Sequence, residues 1–486
     1  MLPPNQKGTA PILNPVRATI EGIGRLLTYL GWIDGDRAYR IADLAWPRIV
    51  TGIARMSKST ADVAMVGIAL GPAAIAGVGY GLPFWMLAFI LGGGVAGGTI
   101  SLVSQRVGAD EERGVDAAIT VSAIVAAGVT IPFAGLFGFI PEPFIQIIGS
   151  GEQAITYGAD YLRVASLAMP FAALNLVASR AFVGANDAQT PMMIRAGAAV
   201  GNIVLNVPLI FVFDLGVVGA ALGTLISNAA ATAFFAAGLL RGHLPMIGAL
   251  PLRLHRAAPF WNGETARSLR RIATPLVLRN VALNGGEFPM LAIVSLFGPN
   301  AVAAFVVALR VRALMNTPGW GFGLASSSLV GQAMGTGDAR STTGYAQDAL
   351  RFTVAAYGVT ALCVFAFAGP ISTLFVQDPE VLEITIALVR ATCLSVLAWG
   401  LMNGALGPLR AAGDTRWPFY AQVFGLVICA LPTAYLGATT ELGFYGLYAA
   451  LILETGVPAA ILYMRYRSGR WNDVAFRSQR NISRPG

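Results

Sequence analysis

The sequence predicts an all-α membrane protein whose twelve transmembrane helices form two parallel six-helix repeats, an N-lobe and a C-lobe, around a central cavity. Three observations predict this fold. Of the 486 residues, 55% are hydrophobic and only 12% are charged, whereas soluble proteins carry about 25% charged residues. Long apolar runs alternate with short polar breaks along the chain. The two halves of the chain also resemble each other at a nearly constant spacing.

Twelve apolar runs are long enough to cross ~30 Å of hydrocarbon, which takes about 20 helical residues. The first run is the most polar of them, because it contains Arg48, Arg55, Lys58 and Asp62. The predicted spans are 44–68, 73–105, 114–140, 155–182, 190–213, 215–240, 267–295, 299–333, 342–376, 380–410, 415–437 and 442–467.

Positive charge sets the predicted orientation of these spans. Lys and Arg concentrate in the N-terminal segment, the central loop and the C-terminal tail, and the loops on the opposite side contain none. Short loops on the positive side add Arg106, Arg113, Arg340, Arg410 and Arg416. Because Lys- and Arg-rich loops stay in the cytoplasm, we expect a multi-pass protein of a prokaryotic plasma membrane with both termini cytoplasmic. This asymmetry accounts for the net charge of +8, so nucleic acid is not an expected partner.

The internal repeat is visible in the sequence itself. "LVSQRVGADE" from Leu102 matches "LVGQAMGTGD" from Leu329. Asp187 and Asp414 are separated by the same number of residues as these two leucines. The separation between Pro47 and Pro275 is longer by a single residue. Each repeat holds six spans, so both start on the same side of the membrane. Such parallel repeats are typical of transporters that bind substrate between two lobes and work by alternating access.

The repeat divides the chain into five predicted segments. The Pro-containing polar stretch between the repeats is a natural linker, and one copy of the twelve-helix chain is sufficient, so we expect a monomer. The segments are a cytoplasmic N-terminal segment (1–43), the N-lobe (44–240), a cytoplasmic linker (241–266), the C-lobe (267–467) and a cytoplasmic tail (468–486).

Several classes of chemistry lack the residues that they need. The three cysteines, Cys363, Cys393 and Cys429, are widely spaced in apolar runs, and both histidines fall in the linker, so no metal site is expected. No Walker-type Gly-Lys-Ser/Thr sequence is present. A pump built on this chain therefore needs an ion gradient, H⁺ or Na⁺, and no other cofactor.

One acidic residue lies in the outer half of the first span. Asp62 follows "MSKSTA" and precedes Val63 and Ala64. An acid at the centre of a membrane costs about 2.5–3.5 kcal/mol on insertion scales, and such residues usually mark ion or substrate pathways. A low-dielectric pocket disfavours the charged carboxylate, which makes Asp62 a candidate proton carrier. Asn202 and Asn206 share one helix face at i,i+4, and their amides could bond Asp62 in both protonation states.

A second interpretation of Asp62 involves the same helix. Lys58 lies four residues earlier, at the spacing of a helical ion pair. Lys58 could instead extend to the membrane surface or contribute to gating. The sequence leaves both alternatives open.

Longer motifs resemble a known family. "ADVAMVGIALGPAAIAGVG" at 61–79, "TISLVSQRVGADE" at 99–111 and "GANDAQTPMM" at 184–193 are similar to the multidrug and toxic compound extrusion (MATE) family, as is "NIVLNVPLIFVFDLGVVGAALGTLIS" at 202–227. The likeness covers about 41–467. It implies a transporter that exports cationic amphipathic compounds in exchange for protons or sodium ions.

The DinF-like prokaryotic branch of this family also implies a set of site residues. Its coupling aspartate follows a proline on the first span at the same spacing that separates Asp62 from Pro47. Polar residues on the fourth, fifth and sixth spans surround that aspartate, and the matching positions here are Asn175, Asn202, Asn206 and Thr224. Several relatives carry a second acid where this chain has Asn206, which weakens the case for sodium at this site without excluding it.

The sequence also offers a candidate for a second ion site, in the C-lobe. The NorM-like branch binds sodium through acids in the C-lobe, where this chain offers Glu287 on the seventh span and no acid in the stretch 395–410 of the tenth.

A lipid-linked oligosaccharide flippase of the same superfamily is the main alternative function, although such proteins usually have cationic cavities. A membrane-embedded enzyme is disfavoured because no catalytic constellation is present, and a channel is disfavoured by the repeat.

Overall fold

The computed structural model describes residues 15–148, 151–245, 247–255, 261–285, 287–373 and 379–472. Almost all of these residues are helical, and two short antiparallel strands join the halves. The first half contains α1 (Pro15–Tyr29), α2 (Gly35–Leu70), α3 (Pro72–Gly108), α4 (Glu112–Phe139), α5 (Glu142–Ile148), α6 (Glu152–Ala165), a 3₁₀ turn (Ser166–Ala168), α7 (Met169–Gly184), α8 (Gln189–Val207), a π-helical turn (Pro208–Val212) and α9 (Gly216–Arg241).

The second half repeats this order after the strands β1 (His243–Leu244) and β2 (Gly248–Ala249). It contains α10 (Gly263–Gly285), α11 (Glu287–Val294), a 3₁₀ turn (Ser295–Phe297), α12 (Pro299–Gly335), α13 (Ala339–Ala366), α14 (Ala368–Thr373), α15 (Pro379–Ala411), α16 (Arg416–Val423), a π-helical turn (Phe424–Ala430), α17 (Leu431–Thr439) and α18 (Gly443–Arg467).

Nine stretches of helix in the described part of the chain are long and apolar enough, by length and composition, to cross a membrane. The other three predicted spans correspond to α2, the pair α10 and α11, and α12, and each of them carries charged residues among its apolar ones. The repeat explains why α12 still belongs to the bundle, because its repeat partner α3 is one of the nine. α12 follows α3 at the spacing of the sequence repeat and has the same length, and both start with a proline after a glycine of positive φ.

The first predicted span is part of a longer helix. α2 begins at Gly35, where the Asp34 side chain accepts a hydrogen bond from the Arg37 amide, as an N-cap residue does. It continues through Pro47 without a break. The fifth span behaves differently, because Pro208 cannot donate a backbone hydrogen bond, and the helix passes there into a π-helical turn.

The lobes interlock along α3, α10 and α12. Glycines replace larger residues where helices cross: a Cβ on Gly94 would overlap Val277, and one on Gly108 would overlap the Gln332 backbone. Ser328 on α12 donates a hydrogen bond of 2.6 Å to the Val183 carbonyl at the end of α7. These contacts lie in the half of each span that is nearest to the Arg-rich loops. The two lobes are therefore closed against each other on that side of the bundle.

The N-terminal helices strengthen the same closure. α1 packs its apolar face on α2 and α13, with Gly24 against the ring of Phe352. Arg37 at the start of α2 pairs with Asp348 on α13 at 2.5 Å, and Arg40 donates to the Tyr345 hydroxyl. α2 belongs to the first repeat and α13 to the second, so this ion pair and this hydrogen bond tie the two repeats together.

Candidate functional site

Asp62 lies inside the first repeat and not against lipid. It is 7% exposed, and both carboxylate oxygens have partners. Lys58 Nζ lies 2.7 Å from Asp62 Oδ2, and Asn206 Nδ2 donates to Asp62 Oδ1 at 2.7 Å. The carboxylate thus joins two helices, α2 and α8, through one cation and one amide.

Lys58 takes part in this site through a second contact. Its ammonium group also donates to Thr224 Oγ1 on α9 at 3.0 Å. The structure therefore shows the i,i+4 ion pair between Lys58 and Asp62. Lys58 does not extend to the membrane surface, which was the alternative. The physical reason is that Thr224 and Asp62 together satisfy two of the three ammonium protons inside the bundle.

The fifth-span amides are placed by a glycine on the neighbouring helix. A Cβ on Gly223 would overlap Asn206 Oδ1, so only glycine lets the amide lie there. Asn202 is fully buried one turn away, and within the described residues both of its amide atoms lack a hydrogen-bond partner. Asn206 Oδ1 is also unpartnered there. One spare donor group, Asn202 Nδ2, and two spare acceptor oxygens, Asn202 Oδ1 and Asn206 Oδ1, thus lie on the amide that bonds the carboxylate and one helical turn from it.

Asn175 does not join the Asp62 cluster directly. Its amide donates to the Asn228 carbonyl oxygen at 3.1 Å and accepts from Thr232 Oγ1 at 3.0 Å. Asn228 in turn donates to the backbone carbonyl of Thr224. Asn175 therefore belongs to an adjacent network between α7 and α9, which touches the Asp62 cluster through Thr224. Sequence reasoning missed Asn228 and Thr232, although both lie on the Thr224 face of α9, at i+4 and i+8.

The two remaining predicted residues lie elsewhere. Pro47 is in the half of α2 nearest its start, where its carbonyl accepts from Thr51 Oγ1 at 2.8 Å and the backbone at Ala45 closely approaches Gly321 on α12. Glu287 begins α11, but its side chain lies outside the described residues, so its role in ion binding stays a prediction.

A buried ion pair in the second repeat was not predicted. Arg312 on α12 donates to Glu454 on α18 at 2.6 Å, and both side chains are buried. The Arg312 guanidinium also lies 5.2 Å from the centre of the Trp399 ring. Both charges are visible in the sequence within apolar spans, and an ionisable residue at such depth is itself a signal.

Comparison with known proteins identifies the family. The model of the MatE family matches residues 47–208 and 275–436, one match in each repeat and together more than half of the chain. The chain belongs to the MatE family. Because its members are transporters, the prediction of a transporter and not an enzyme is confirmed, as is the two-lobed twelve-helix fold.

Individual relatives of this MatE chain agree with that assignment. A protein of Bacillus subtilis named "Probable multidrug resistance protein YoeA" is 24% identical, with 87% of this chain and 91% of the relative covered. A "Probable multidrug resistance protein NorM" of Rhodopseudomonas palustris is 28% identical, with 87% and 90% covered. The solved structure of a MATE protein in the bent conformation has a TM-score of 0.83 at 21% identity, covering 94% of this chain and 99% of that one.

Proposed function

We propose that this protein is a proton-coupled exporter of small amphipathic molecules, with Asp62 as the group that gains and loses the proton. The observation that carries the proposal is the buried bridge between α2 and α8, in which Asp62 has both a cation and an amide as partners. The names of the relatives, which speak of multidrug resistance, support an exporter of small molecules. We place it in a prokaryotic plasma membrane with both termini in the cytoplasm, as the distribution of Arg and Lys suggests.

The coupling step follows from the charges around the carboxylate. The groups that face Asp62 are Lys58 on its own helix, Asn206 on α8 and Tyr161 on α6, and Lys58 also reaches Thr224 on α9. With Asp62 deprotonated, the Asp62–Lys58 pair is neutral overall. A proton on Asp62 leaves the Lys58 charge uncompensated inside the bundle, and removing one partner of a buried pair costs about 3–5 kcal/mol.

The free-energy cost of the uncompensated Lys58 charge is what couples protonation of Asp62 to a change of conformation. The protein can lower its free energy by moving the outer half of α2 so that Lys58 reaches water. The unpartnered amide of Asn202 and the unpartnered Oδ1 of Asn206 are then available to bond the protonated acid. The lobes are closed on the side of the Arg-rich loops, so we interpret the present arrangement as the outward-facing, deprotonated state. A ligand shifts such an equilibrium only if its affinity for the two states differs. The affinity for the proton differs here because a proton on Asp62 leaves the Lys58 charge uncompensated in one state and not in the other.

The same geometry favours a proton over sodium. Sodium needs several oxygen ligands, whereas Lys58 Nζ occupies the position beside Asp62 Oδ2 that a metal cation would take. The neighbouring side chain Asn206 presents its NH₂ group and not an oxygen to Asp62.

The sign of the substrate charge needs a separate argument. Asp62 on its own predicts a cationic substrate, because an unpaired carboxylate attracts cations. Since Lys58 compensates that charge, Asp62 no longer favours either sign.

The proposal is tested with purified protein in liposomes that contain the pH-sensitive dye pyranine. We expect a gradient of substrate, with ethidium and pyrenebutyrate as probes of opposite charge, to move protons for at least one of them. Replacing all sodium by choline at fixed pH should leave the rate unchanged. A rate that needs sodium would refute proton coupling, and probe flux without any proton movement would refute coupled transport altogether.

A further inference from the structure

Six arginines project from spans of both lobes into the interior of the protein. Four belong to the first repeat and two to the second, and all are buried or half-buried. We call them the arginine set: Arg48 and Arg55 on α2, Arg180 on α7, Arg195 on α8, Arg279 on α10 and Arg410 on α15.

These arginines are close enough to repel one another. Arg48 interacts electrostatically with Arg55, Arg180 and Arg195. Arg180 also interacts with Arg410 of the other lobe, and Arg410 with Arg279. Arg410 lies against Gly97 on α3, so it reaches across the boundary between the lobes. The arginine set is therefore one continuous cationic region that both lobes share.

No carboxylate in the described part of the chain pairs with any member of the arginine set. The buried acids of the spans already have partners, since Asp62 pairs with Lys58 and Glu454 with Arg312. One side-chain nitrogen in each of five members is buried without a hydrogen-bond partner among the described residues: Arg48 Nε, Arg180 Nη1, Arg195 Nη1, Arg279 Nε and Arg410 Nε. Arg279 is only 7% exposed. Burying unpaired charge is costly, so these donors call for an anion that is not part of the chain.

An exposed aromatic ring lies beside this cationic region. The guanidinium groups of Arg48 and Arg55 lie 5.9 Å and 5.4 Å from the centre of the Trp320 ring on α12. Arg55 also lies 5.8 Å from the centre of the Phe89 ring. Trp320 is 44% exposed although it lies between the lobes. An apolar surface thus adjoins the charged groups, as an amphipathic ligand requires.

We propose that the arginine set binds the head group of an amphipathic organic anion, a phosphate, carboxylate or sulfonate, and that Trp320 contacts its apolar part. This inference rests on the proposed transport function and specifies its substrate class. Guanidinium groups match such oxyanions through paired, charge-assisted hydrogen bonds. A cationic compound would instead meet like charges, which repel it at close range. Because both lobes contribute arginines, the bound anion holds them together by its charge.

The test compares two ligands with the same apolar body and opposite charge. Purified protein in phosphatidylcholine nanodiscs is titrated with pyrenebutyrate and with pyrenemethyl-trimethylammonium, and binding is followed by quenching of tryptophan fluorescence. We expect the anion to bind at least about tenfold more tightly. Each of Arg55→Gln and Arg195→Gln should weaken anion binding by about tenfold or more, as the loss of a charged hydrogen bond does.

The matched control is Arg390→Gln. Arg390 is an exposed arginine of α15 that contacts the Phe365 ring and lies outside the arginine set, so this change should leave anion binding unaltered. A cation that binds as tightly as the anion would overturn the proposal, and so would unchanged anion binding in both arginine variants. Arg55→Lys guards against misfolding, because it keeps the charge and should bind the anion better than Arg55→Gln.

A second arm distinguishes two sources of the anion. Phosphatidylglycerol is added stepwise to the nanodiscs while pyrenebutyrate is bound. Displacement would identify a lipid phosphate as the occupant, in agreement with the flippase alternative, and full retention would identify a water-soluble anion. The binding measurement needs no ion gradient, so its failure would leave proton coupling intact, and a failure of proton coupling would leave the binding result intact.

Discussion

Asp62→Asn is expected to abolish proton-coupled transport while the protein remains folded. The amide has nearly the same shape as the carboxylate and can still bond Asn206, so the contact between α2 and α8 survives. It cannot gain or lose a proton, and it leaves Lys58 without its anionic partner in every state. The equilibrium between the lobe arrangements then no longer responds to pH. We expect proton movement in the pyranine assay to fall to the rate of empty liposomes.

The control for this variant is Asp214→Asn, the same chemical change in the exposed loop before α9. Asp214 has a φ of 55°, and asparagine tolerates this left-handed conformation as well as aspartate does. The control should transport like the wild type. Wild-type rates of concentrative transport in Asp62→Asn would exclude Asp62 as the coupling group.

Glu454→Gln is expected to destabilise the C-lobe strongly. The change leaves Arg312 buried and uncompensated against Trp399. Removing one partner of a buried ion pair typically costs about 3–5 kcal/mol. We expect that loss in the free energy of unfolding, measured by SDS titration in mixed micelles with tryptophan fluorescence.

Two comparisons test that explanation. Arg163→Gln removes a partner of Glu142 at an exposed position, and exposed pairs contribute only about 0–1 kcal/mol. The double variant Arg312→Met with Glu454→Leu removes both charges and should recover most of the stability, because apolar residues often replace buried pairs without loss. A double variant as unstable as Glu454→Gln would show that packing, and not charge, causes the effect.

The helices were predictable because an apolar run of membrane length and a repeat spacing are properties of the chain alone. Leu102 and Leu329 revealed the repeat without any tertiary information. The starts of helices were less visible. α2 begins at Gly35, well before its predicted start at Leu44, because Asp34 caps it and Arg37 finds a partner on α13.

The site was predictable where its members share one helix. Asn202 and Asn206 follow each other at i,i+4, and Lys58 precedes Asp62 at the same spacing, so each pair had to lie on one face. Whether Lys58 pairs with Asp62 or extends to the membrane surface depends on Thr224, which lies on another helix. The rotation of α7 likewise decides that Asn175 faces Asn228 and not Asp62.

The arginine set shows what only the packed chain reveals. Its members are scattered over five helices, and Arg410 was assigned to a cytoplasmic loop because it lies near the end of a span. In the structure it belongs to α15 and lies near Arg279 and Arg180. A sequence shows each arginine separately, whereas their convergence, and hence the sign of the charge between the lobes, follows from tertiary structure.

The most direct test of the account counts the protons that leave or enter the protein when ligand binds. Wild-type protein in weakly buffered detergent solution is mixed with whichever of the two pyrene ligands it binds, and the pH change is recorded. We expect binding to exchange protons with the solution in the wild type and not in Asp62→Asn, which should still bind the ligand. An equal proton exchange in both proteins would contradict the assignment of coupling to the Asp62–Lys58 pair.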